Sequence, residues 1–293
     1  MTSFRNLTPA EIAALETLGN SAEDWTKVTV APDFEPGQLR QSHLEGRVEI
    51  ARGARIVRSR VAGYRIGEES LVEGVTALEC RRRSAFGNGT GVATMNECGG
   101  RTVKIFDTMS AQVAYVMAVY RHRPQTIAAL ERMVGEYAEA RSSEMGEVGR
   151  GCRIVGARFI REVRIGNDVD IDGASILENA TLCDGVRIGV DVKAYDTIAA
   201  EGAVIDNGSI VERCFVGETA GWTRASRPPN RSSSPIRTAR TARPPRSSQA
   251  PTPSRTTNRR CSSPACSRSS TPAAARTRAT TSSKAAPCIR RCI

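Results

Sequence analysis

Aliphatic residues recur at intervals of six along much of this chain, with small and polar residues between them. The runs that keep this interval are Leu44, Ile50 and Ile56; Ile66, Val72 and Leu78; Ile165, Ile171 and Leu177; Leu182, Ile188 and Ala194; and Ile198, Val204, Ile210 and Val216. A period of six fits neither the 3.6-residue turn of a helix nor the alternation of a simple strand. It predicts a mainly β fold, a single-stranded parallel β-helix with one hexapeptide per face and three faces per coil.

In such a coil, each aliphatic residue at the start of a hexapeptide points inward and stacks on its counterpart in the next coil. Each buried Ile, Val or Leu then contributes about 1.5–3 kcal/mol. The shorter step from Leu177 to Leu182 is interpreted as a bend between coils. A β-sandwich with accidental six-residue spacing is the competing interpretation.

The six-residue interval stops between Leu78 and Ile154, and there the apolar pattern becomes helical. The two groups at helical spacing are Val113, Val116, Met117 and Tyr120, and Ile127, Leu130, Val134 and Tyr137. Pro124 disfavours helical geometry at the residue before it, so we predict two helices or one kinked helix.

The N-terminus also has a helical signature. Thr8 and Glu11 have the spacing of a capping box, and Pro9 stands at the first helical position. The predicted organisation is an N-terminal helical cap (1–40), first β-helix coils (41–107), a helical insertion (108–145), second coils (146–218) and a disordered tail (219–293).

Charge is distributed unevenly along the 293 residues. The formal net charge is +11, but residues 219–293 carry 16 Lys and Arg and no Asp or Glu. Residues 1–218 therefore hold 26 basic and 31 acidic residues, a net charge of −5. No apolar run approaches the ~20 residues of a membrane helix, and the N-terminus lacks a signal-type apolar segment. The expected compartment is the cytoplasm, with no membrane partner.

The stretch FGNGTGVATMNECGGRTVKIFD (86–107) combines Gly-rich turns with Asn96, Glu97 and Arg101. Backbone N–H groups of a Gly-rich loop together with a guanidinium can hold a phosphate. These three residues are therefore predicted to bind ligand. The competing interpretation is that the glycines serve only the corners of the coil.

The stretch YRHRP (120–124) places His122 between Arg121 and Arg123. Flanking arginines favour the neutral imidazole, which can act as a base, so His122 is the predicted catalytic residue and both arginines are predicted ligand contacts. Salt bridges between helix and coil are the alternative role. The cysteine spacing indicates no metal site, and the sequence identifies no cofactor.

Hexapeptides such as IGEESLVEG and VRIGNDVDIDG resemble the bacterial transferase hexapeptide repeat. That resemblance implies a left-handed parallel β-helix, and it implies relatives that are trimeric acyltransferases or are attached to sugar nucleotidyltransferases. More narrowly, LTPAEIAALETLGNSAEDW, SAFGNG, NECGGR, AYVMAVYRHRP and RCFVG resemble a family of long bacterial hexapeptide-repeat proteins classified only as a domain of unknown function. That family has Thr where this chain has Cys98. The resemblance covers residues 1–218.

The tail from residue 219 lacks the hexapeptide pattern and is rich in Arg, Ser, Thr, Pro and Ala. When each third codon base is read with the next two bases, residues 246–282 permit VFAGPYTVS, HHK, SSLLIAGMFSF and NAGSGTNQSNH. These segments resemble the continuation of the same family. We therefore interpret 219–293 as a frameshift product with no evolved nucleic-acid partner; a selected basic arm that binds nucleic acid is the alternative.

Two functions are expected for the intact protein. The first is a transferase that acts on a sugar nucleotide or an acyl donor, with a homotrimer as the implied assembly. The second is a non-catalytic β-helix scaffold or binding protein. The chain as given, truncated by the shifted frame, is expected to be inactive.

Overall fold

The computed structural model describes residues 4–93 and 102–222, and these contain 25 strands and three α-helices. The strands up to the insert are β1 (Arg5–Asn6), β2 (Ser21–Ala22), β3 (Val28–Val30), β4 (Leu39–Arg40), β5 (His43–Glu45), β6 (Val48–Ile50), β7 (Arg55–Val57), β8 (Arg60–Ala62), β9 (Tyr64–Ile66), β10 (Leu71–Glu73) and β11 (Ala77–Glu79). The insert contains β12 (Gly91–Ala93) and β13 (Thr102–Lys104). The later strands are β14 (Gly146–Val148), β15 (Arg153–Val155), β16 (Phe159–Ile165), β17 (Asp170–Asp172), β18 (Ile176–Leu182), β19 (Arg187–Ile188), β20 (Lys193–Tyr195), β21 (Ile198–Ala199), β22 (Val204–Ile205), β23 (Ile210–Glu212), β24 (Phe215–Val216) and β25 (Gly221–Trp222).

Parallel pairing joins most of these strands into three ladders, which we call the first, second and third faces. The first face contains β2, β5, β8, β11, the start of β16, the start of β18, β20 and β23. The second face contains β3, β6, β9, β14, the ends of β16 and β18, β21 and β24. The third face contains β4, β7, β10, β15, β17, β19, β22 and β25. The chain thus visits the three faces in turn and forms a coil.

The interior of the coil is a set of stacked aliphatic columns. One column on the third face runs Ile56, Val72, Ile154, Ile171, Ile188 and Ile205, and each of these residues is at most 3% exposed. Paired residues in the later coils are 17 apart, as in Arg153 with Asp170 and Asp170 with Arg187. The predicted inward stacking is therefore confirmed for the runs that end at Ala194.

The predicted inward run Ile198, Val204, Ile210 and Val216 is wrong at its first three positions, and only Val216 belongs to the core of the coil. The buried positions there are Ile205 and Val211, whereas Ile210 is 42% exposed. The physical reason is that every later coil contains one five-residue step, from the first face to the second, so a strict interval of six loses phase. The step from Leu177 to Leu182 is the same recurring corner.

Left-handed backbone forms this corner in each of the later coils. Glu162, Asn179, Asp196 and Arg213 occupy equivalent positions, with φ between 46° and 49°. Asn and Asp tolerate this conformation better than Glu and Arg do. Asn179 donates a 2.6 Å hydrogen bond to Asp196 Oδ1, which links two neighbouring corners.

The N-terminal helix α1 (Pro9–Thr17) begins at the predicted capping box. The Thr8 side chain accepts from the Glu11 N–H, and the Glu11 carboxylate accepts from the Thr8 N–H at 2.8 Å. Leu15 of α1 is fully buried against the end of the coil. Strand β1 pairs antiparallel with β3, so the second face does not end in an open parallel strand there.

An insert leaves the coil after Glu79 and returns at Gly146, at the corner between the first and second faces. Its ends are joined by two 2.9 Å backbone hydrogen bonds between Ser84 and Ser143. Inside it, β12 and β13 pair antiparallel, and two helices follow, α2 (Ala111–Val119) and α3 (Pro124–Arg141). The break at 120–123 confirms the predicted helical pair. Tyr120, which the helical spacing assigns to the apolar face of the first helix, is 40% exposed.

The insert packs on the second face of the last coils. Buried residues of the insert, including Met117 and Val134, form one apolar cluster with Ile198, and Phe215 packs against that cluster. Ile198 and Phe215 point outward from the coil and pair in register. The insert therefore covers a part of the coil that follows it in sequence.

The predicted boundaries at 40 and 107 do not coincide with these bounds, since coil pairing begins at Ser21 and the insert begins after Glu79. Pairing continues through β25 to Trp222, four residues beyond Glu218. The frameshift and disorder predicted for the tail concern residues that lie almost entirely outside the described ones.

Candidate functional site

The predicted site residues fall into two groups. Asn96, Glu97 and Arg101 lie outside the described residues. Arg121 and His122 lie in the turn between α2 and α3, and the His122 ring is 5.5 Å from that of Tyr120.

The arginines on either side of His122 differ in their contacts. Arg121 donates to the Thr102 carbonyl and lies 3.7 Å from Glu131. Arg123 is exposed and has no ion pair within the described part of the chain. Neither these arginines nor His122 lines a described cavity of the molecule. Their proposed roles stay predictions.

A cleft of about 910 Å³ lies where the insert returns to the coil. One wall is the corner between the first and second faces, and the other is the segment 140–145 at the end of α3. We call it the arginine cleft, because five guanidinium groups line it: Arg47, Arg65, Arg81, Arg141 and Arg164. Its volume is in the range of small-molecule sites, about 300–1,000 Å³.

The Glu49 carboxylate holds two of these arginines in place. Its carboxylate is only 3% exposed, and it accepts from Arg47 Nη2 and from Arg65 Nε, both at 2.6 Å. The two arginine side chains are 67% and 51% exposed. The negative charge is thus buried and the positive ends face the solvent. This arrangement restricts the guanidinium groups while it leaves N–H donors free for a ligand.

A second group of arginines is fixed in the same way by Glu45 and Glu79. Arg60 Nε and Arg81 Nη2 donate to Glu45 at 2.7 and 2.9 Å. Arg81 Nε and Arg161 Nε donate to Glu79, both at 2.7 Å. Burial alone would raise the pKa of each carboxyl group, but the arginine hydrogen bonds and charges outweigh it and hold both pKa values below the ordinary range.

The floor of the cleft is a ladder of alternating charge on the second face. Glu49, Arg65, Glu147 and Arg164 occupy successive coils in register. Neighbouring strands lie about 4.8 Å apart, so each charge lies beside its opposite, and Arg164 is 3.1 Å from Glu147. Beyond Arg164 the same column continues with residues that the insert covers. The face is therefore divided into a charged, open half and an apolar, covered half.

A second cavity of about 490 Å³ adjoins the first, and Arg141, Glu147 and Arg164 line both. At their junction Tyr137 donates to Asp107, and Arg141 Nε donates to Tyr137 Oη at 3.0 Å. The Asp107 N–H in turn donates to Asn88 at 2.8 Å. This network fixes the end of α3 and, with it, the wall of the cleft.

The thiols near these cavities are poor nucleophiles. Burial raises the pKa of Cys80, which lines the cleft, to about 11, and it does the same for Cys183 in the second cavity. Across residues 4–93 and 102–222, no three His, Cys, Asp or Glu side chains form a group that could hold a metal ion. In those residues, too, no helix is long and apolar enough to cross a membrane.

Sequence reasoning missed the arginine cleft because its residues are far apart in sequence. Arg47 and Arg65 belong to consecutive coils, Arg81 lies at the start of the insert, and Arg164 comes after the insert. A signal was present, however: Glu49 and Arg65 carry opposite charges one coil apart and pair in register. That signal can be used only when the coil length and the position of the insert are known.

Two comparisons with known proteins bear on this chain. The family described as Domain of unknown function (DUF4954) matches residues 54–227. An uncharacterized protein of Treponema pallidum (strain Nichols) is 24% identical in an alignment of 255 residues, and the match covers 73% of this chain. The chain spans 34% of that relative's length. The family match covers the coils from β7 onward, the insert and most of the arginine cleft.

Proposed function

This chain belongs to the DUF4954 family, and on that premise we propose that it binds a phosphate-bearing small molecule in the arginine cleft. The observation that carries the proposal is the set of half-exposed arginines fixed by the buried carboxylate of Glu49 and the partly buried carboxylate of Glu45. Such guanidinium groups are already oriented before a ligand arrives, so less side-chain entropy is lost on binding. Planar guanidinium groups match phosphate oxygens in pairs.

The proposed ligand is the donor of a transferase reaction, either a sugar nucleotide or an acyl donor that carries phosphates. Its phosphates would lie on Arg47, Arg65 and Arg81, with the remainder toward Arg141 and Arg164. Support comes from the resemblance to hexapeptide-repeat transferases and from the three-faced parallel coil. The same proposal includes a left-handed turn of the coil and a homotrimer.

A non-catalytic binding role is the second candidate function. It is favoured by the chemistry of the cleft wall, since the described lining contains no histidine and its one cysteine has a raised pKa. A binding protein needs only the oriented cations. Turnover of the donor by the full chain, with an acceptor present, separates the two functions.

The test is a thermal shift of the full chain with UDP-sugars and with acyl-CoA, compared across matched variants. Arg65→Ala removes a cleft guanidinium, and Arg153→Ala removes an exposed one from the third face, where it pairs with Asp170 at 2.9 Å. We expect the ligand-induced shift to disappear in Arg65→Ala and to persist in Arg153→Ala. A shift retained in Arg65→Ala but lost in His122→Ala would move the site to the turn between α2 and α3.

A further inference from the structure

The two arginine groups of the cleft each hold one more positive charge than their carboxylates neutralise. Among the described residues, Glu49 is the one carboxylate that forms an ion pair with Arg47 or Arg65. We call Arg47, Arg65 and Glu49 the upper group. It therefore carries one positive charge that Glu49 does not neutralise. Arg65 donates to Glu49 through Nε alone. Its two terminal amino groups have no hydrogen-bond acceptor among the described residues.

The second position is the corner group, in which Arg60, Arg81 and Arg161 share two carboxylates, Glu45 and Glu79. Three guanidinium groups on two carboxylates again leave one positive charge over. Arg81 is the member that lines the cleft, and its Nη1 has no acceptor among the described residues.

Both groups open into the same cleft. Glu45 and Glu49 are four residues apart, on either side of the corner at Gly46, where φ is 59°. Four residues span at most about 14 Å when fully extended, and the corner shortens this distance. The two groups therefore lie on neighbouring segments of the wall of one cleft.

We propose that the arginine cleft recognises a diphosphate, with one phosphate on the upper group and its neighbour on the corner group. This inference rests on the proposed function and names its ligand class. A single phosphate or carboxylate compensates one group and leaves the other unmatched, whereas two linked phosphates match both without a second loss of translational freedom.

The selectivity is local, because the cleft as a whole is nearly neutral. Glu23 and Glu144 also line it, and both are exposed at its rim. Water and salt screen such exposed carboxylates, while the guanidinium groups keep the positions that their hydrogen bonds to Glu45, Glu49 and Glu79 give them. Binding is therefore expected to depend on the spacing of the two negative groups more than on the total charge of the ligand.

The experiment is isothermal titration of the full chain with inorganic phosphate, pyrophosphate and malonate at fixed ionic strength. We expect pyrophosphate to bind at least about tenfold tighter than phosphate, the gain from one additional charge-assisted contact. Malonate also carries two linked anionic groups but has fewer acceptor oxygens, so it should bind more weakly than pyrophosphate. Malonate binding as tight as that of pyrophosphate would show that spacing alone is recognised and would overturn the diphosphate inference. Arg65→Ala and Arg81→Ala should each bring the ratio of pyrophosphate to phosphate affinity close to one, while Arg153→Ala leaves it unchanged.

The outcomes distinguish failure of the proposed function from failure of the diphosphate inference. If none of the anions binds, the proposed function fails and this inference fails with it. If phosphate and pyrophosphate bind equally, only the diphosphate inference is overturned. A preference that survives both Arg65→Ala and Arg81→Ala also overturns it, since the selectivity then lies elsewhere. Should Arg65→Ala fail to fold, Arg65→Lys keeps the charge but loses the paired donors, and the same loss of preference is expected.

Discussion

Replacing Tyr64 with phenylalanine removes one oxygen atom from the interior of the coil at the point where the insert returns. Tyr64 is fully buried, and its hydroxyl donates to the Val163 carbonyl at 2.8 Å and accepts from the Val163 N–H at 3.1 Å. Gly146 lies between them in register, and a Cβ at Gly146 would overlap the tyrosine ring. The ring therefore passes over Gly146 and joins two coils that are 99 residues apart in sequence.

The cost of Tyr64→Phe follows from these contacts. Phenylalanine keeps the ring packing, but the buried Val163 N–H loses its acceptor, and an unsatisfied buried donor costs about 1–3 kcal/mol. We expect a loss of that size in the free energy of unfolding, measured by urea denaturation of the full chain. Tyr195→Phe is the matched control, because Tyr195 is half-buried and its hydroxyl has no hydrogen bond among the described residues.

Hydrogen exchange locates the effect. The Val163 amide, in the peptide 159–165, should exchange faster in Tyr64→Phe while peptides from the last coils stay unchanged. A loss below about 0.5 kcal/mol, within the range of ordinary surface substitutions, together with unchanged protection of that peptide, would refute the bridging role of Tyr64.

Three further predictions concern the Glu49 carboxylate, the contact between Phe215 and the insert, and the capping box of α1. Glu49→Gln should weaken pyrophosphate binding in titration calorimetry although it removes a negative charge, because the arginines lose their anchor; tighter binding would mean that Glu49 only neutralises charge. Phe215→Ala should make the insert more susceptible to limited proteolysis, and an unchanged cleavage pattern would show that Phe215 does not hold it. The Arg5 hydrogen bond lowers the pKa of Glu11 from 4.5 to about 2, so its stabilisation is complete above pH 4.5 and is lost as the pH falls toward 2. The difference in melting temperature between the wild type and Glu11→Gln should therefore shrink over that interval, and a constant difference would contradict the assignment.

The parallel pairing and the interior columns could be predicted because burial imposes a period that local sequence displays. The phase of the run from Ile198 to Val216 could not be predicted, because Ile198, Val204 and Ile210 keep the six-residue interval while pointing outward. Ile198 is apolar for a different reason: it is covered by the insert. An outward aliphatic residue under an insert cannot be distinguished from an inward one by periodicity alone.

The candidate site was harder to predict than the fold. His122 and its flanking arginines form a conspicuous motif because they are adjacent in sequence, yet they line no described cavity. Arg47, Arg65 and Arg81 are inconspicuous in sequence, and only the stacking of coils brings them into one cleft. Their anchor carboxylates, too, are recognisable only from the register between coils.

The most direct test of the account is a spectrum of the arginine side-chain Nε–H groups of the full chain during titration with pyrophosphate. The account predicts that the signals of Arg47, Arg65 and Arg81 shift together with one saturation curve, while those of Arg121 and Arg123 stay in place. Shifts confined to Arg121 and Arg123, with the cleft arginines unchanged, would contradict it and would place the ligand at the turn between the two helices.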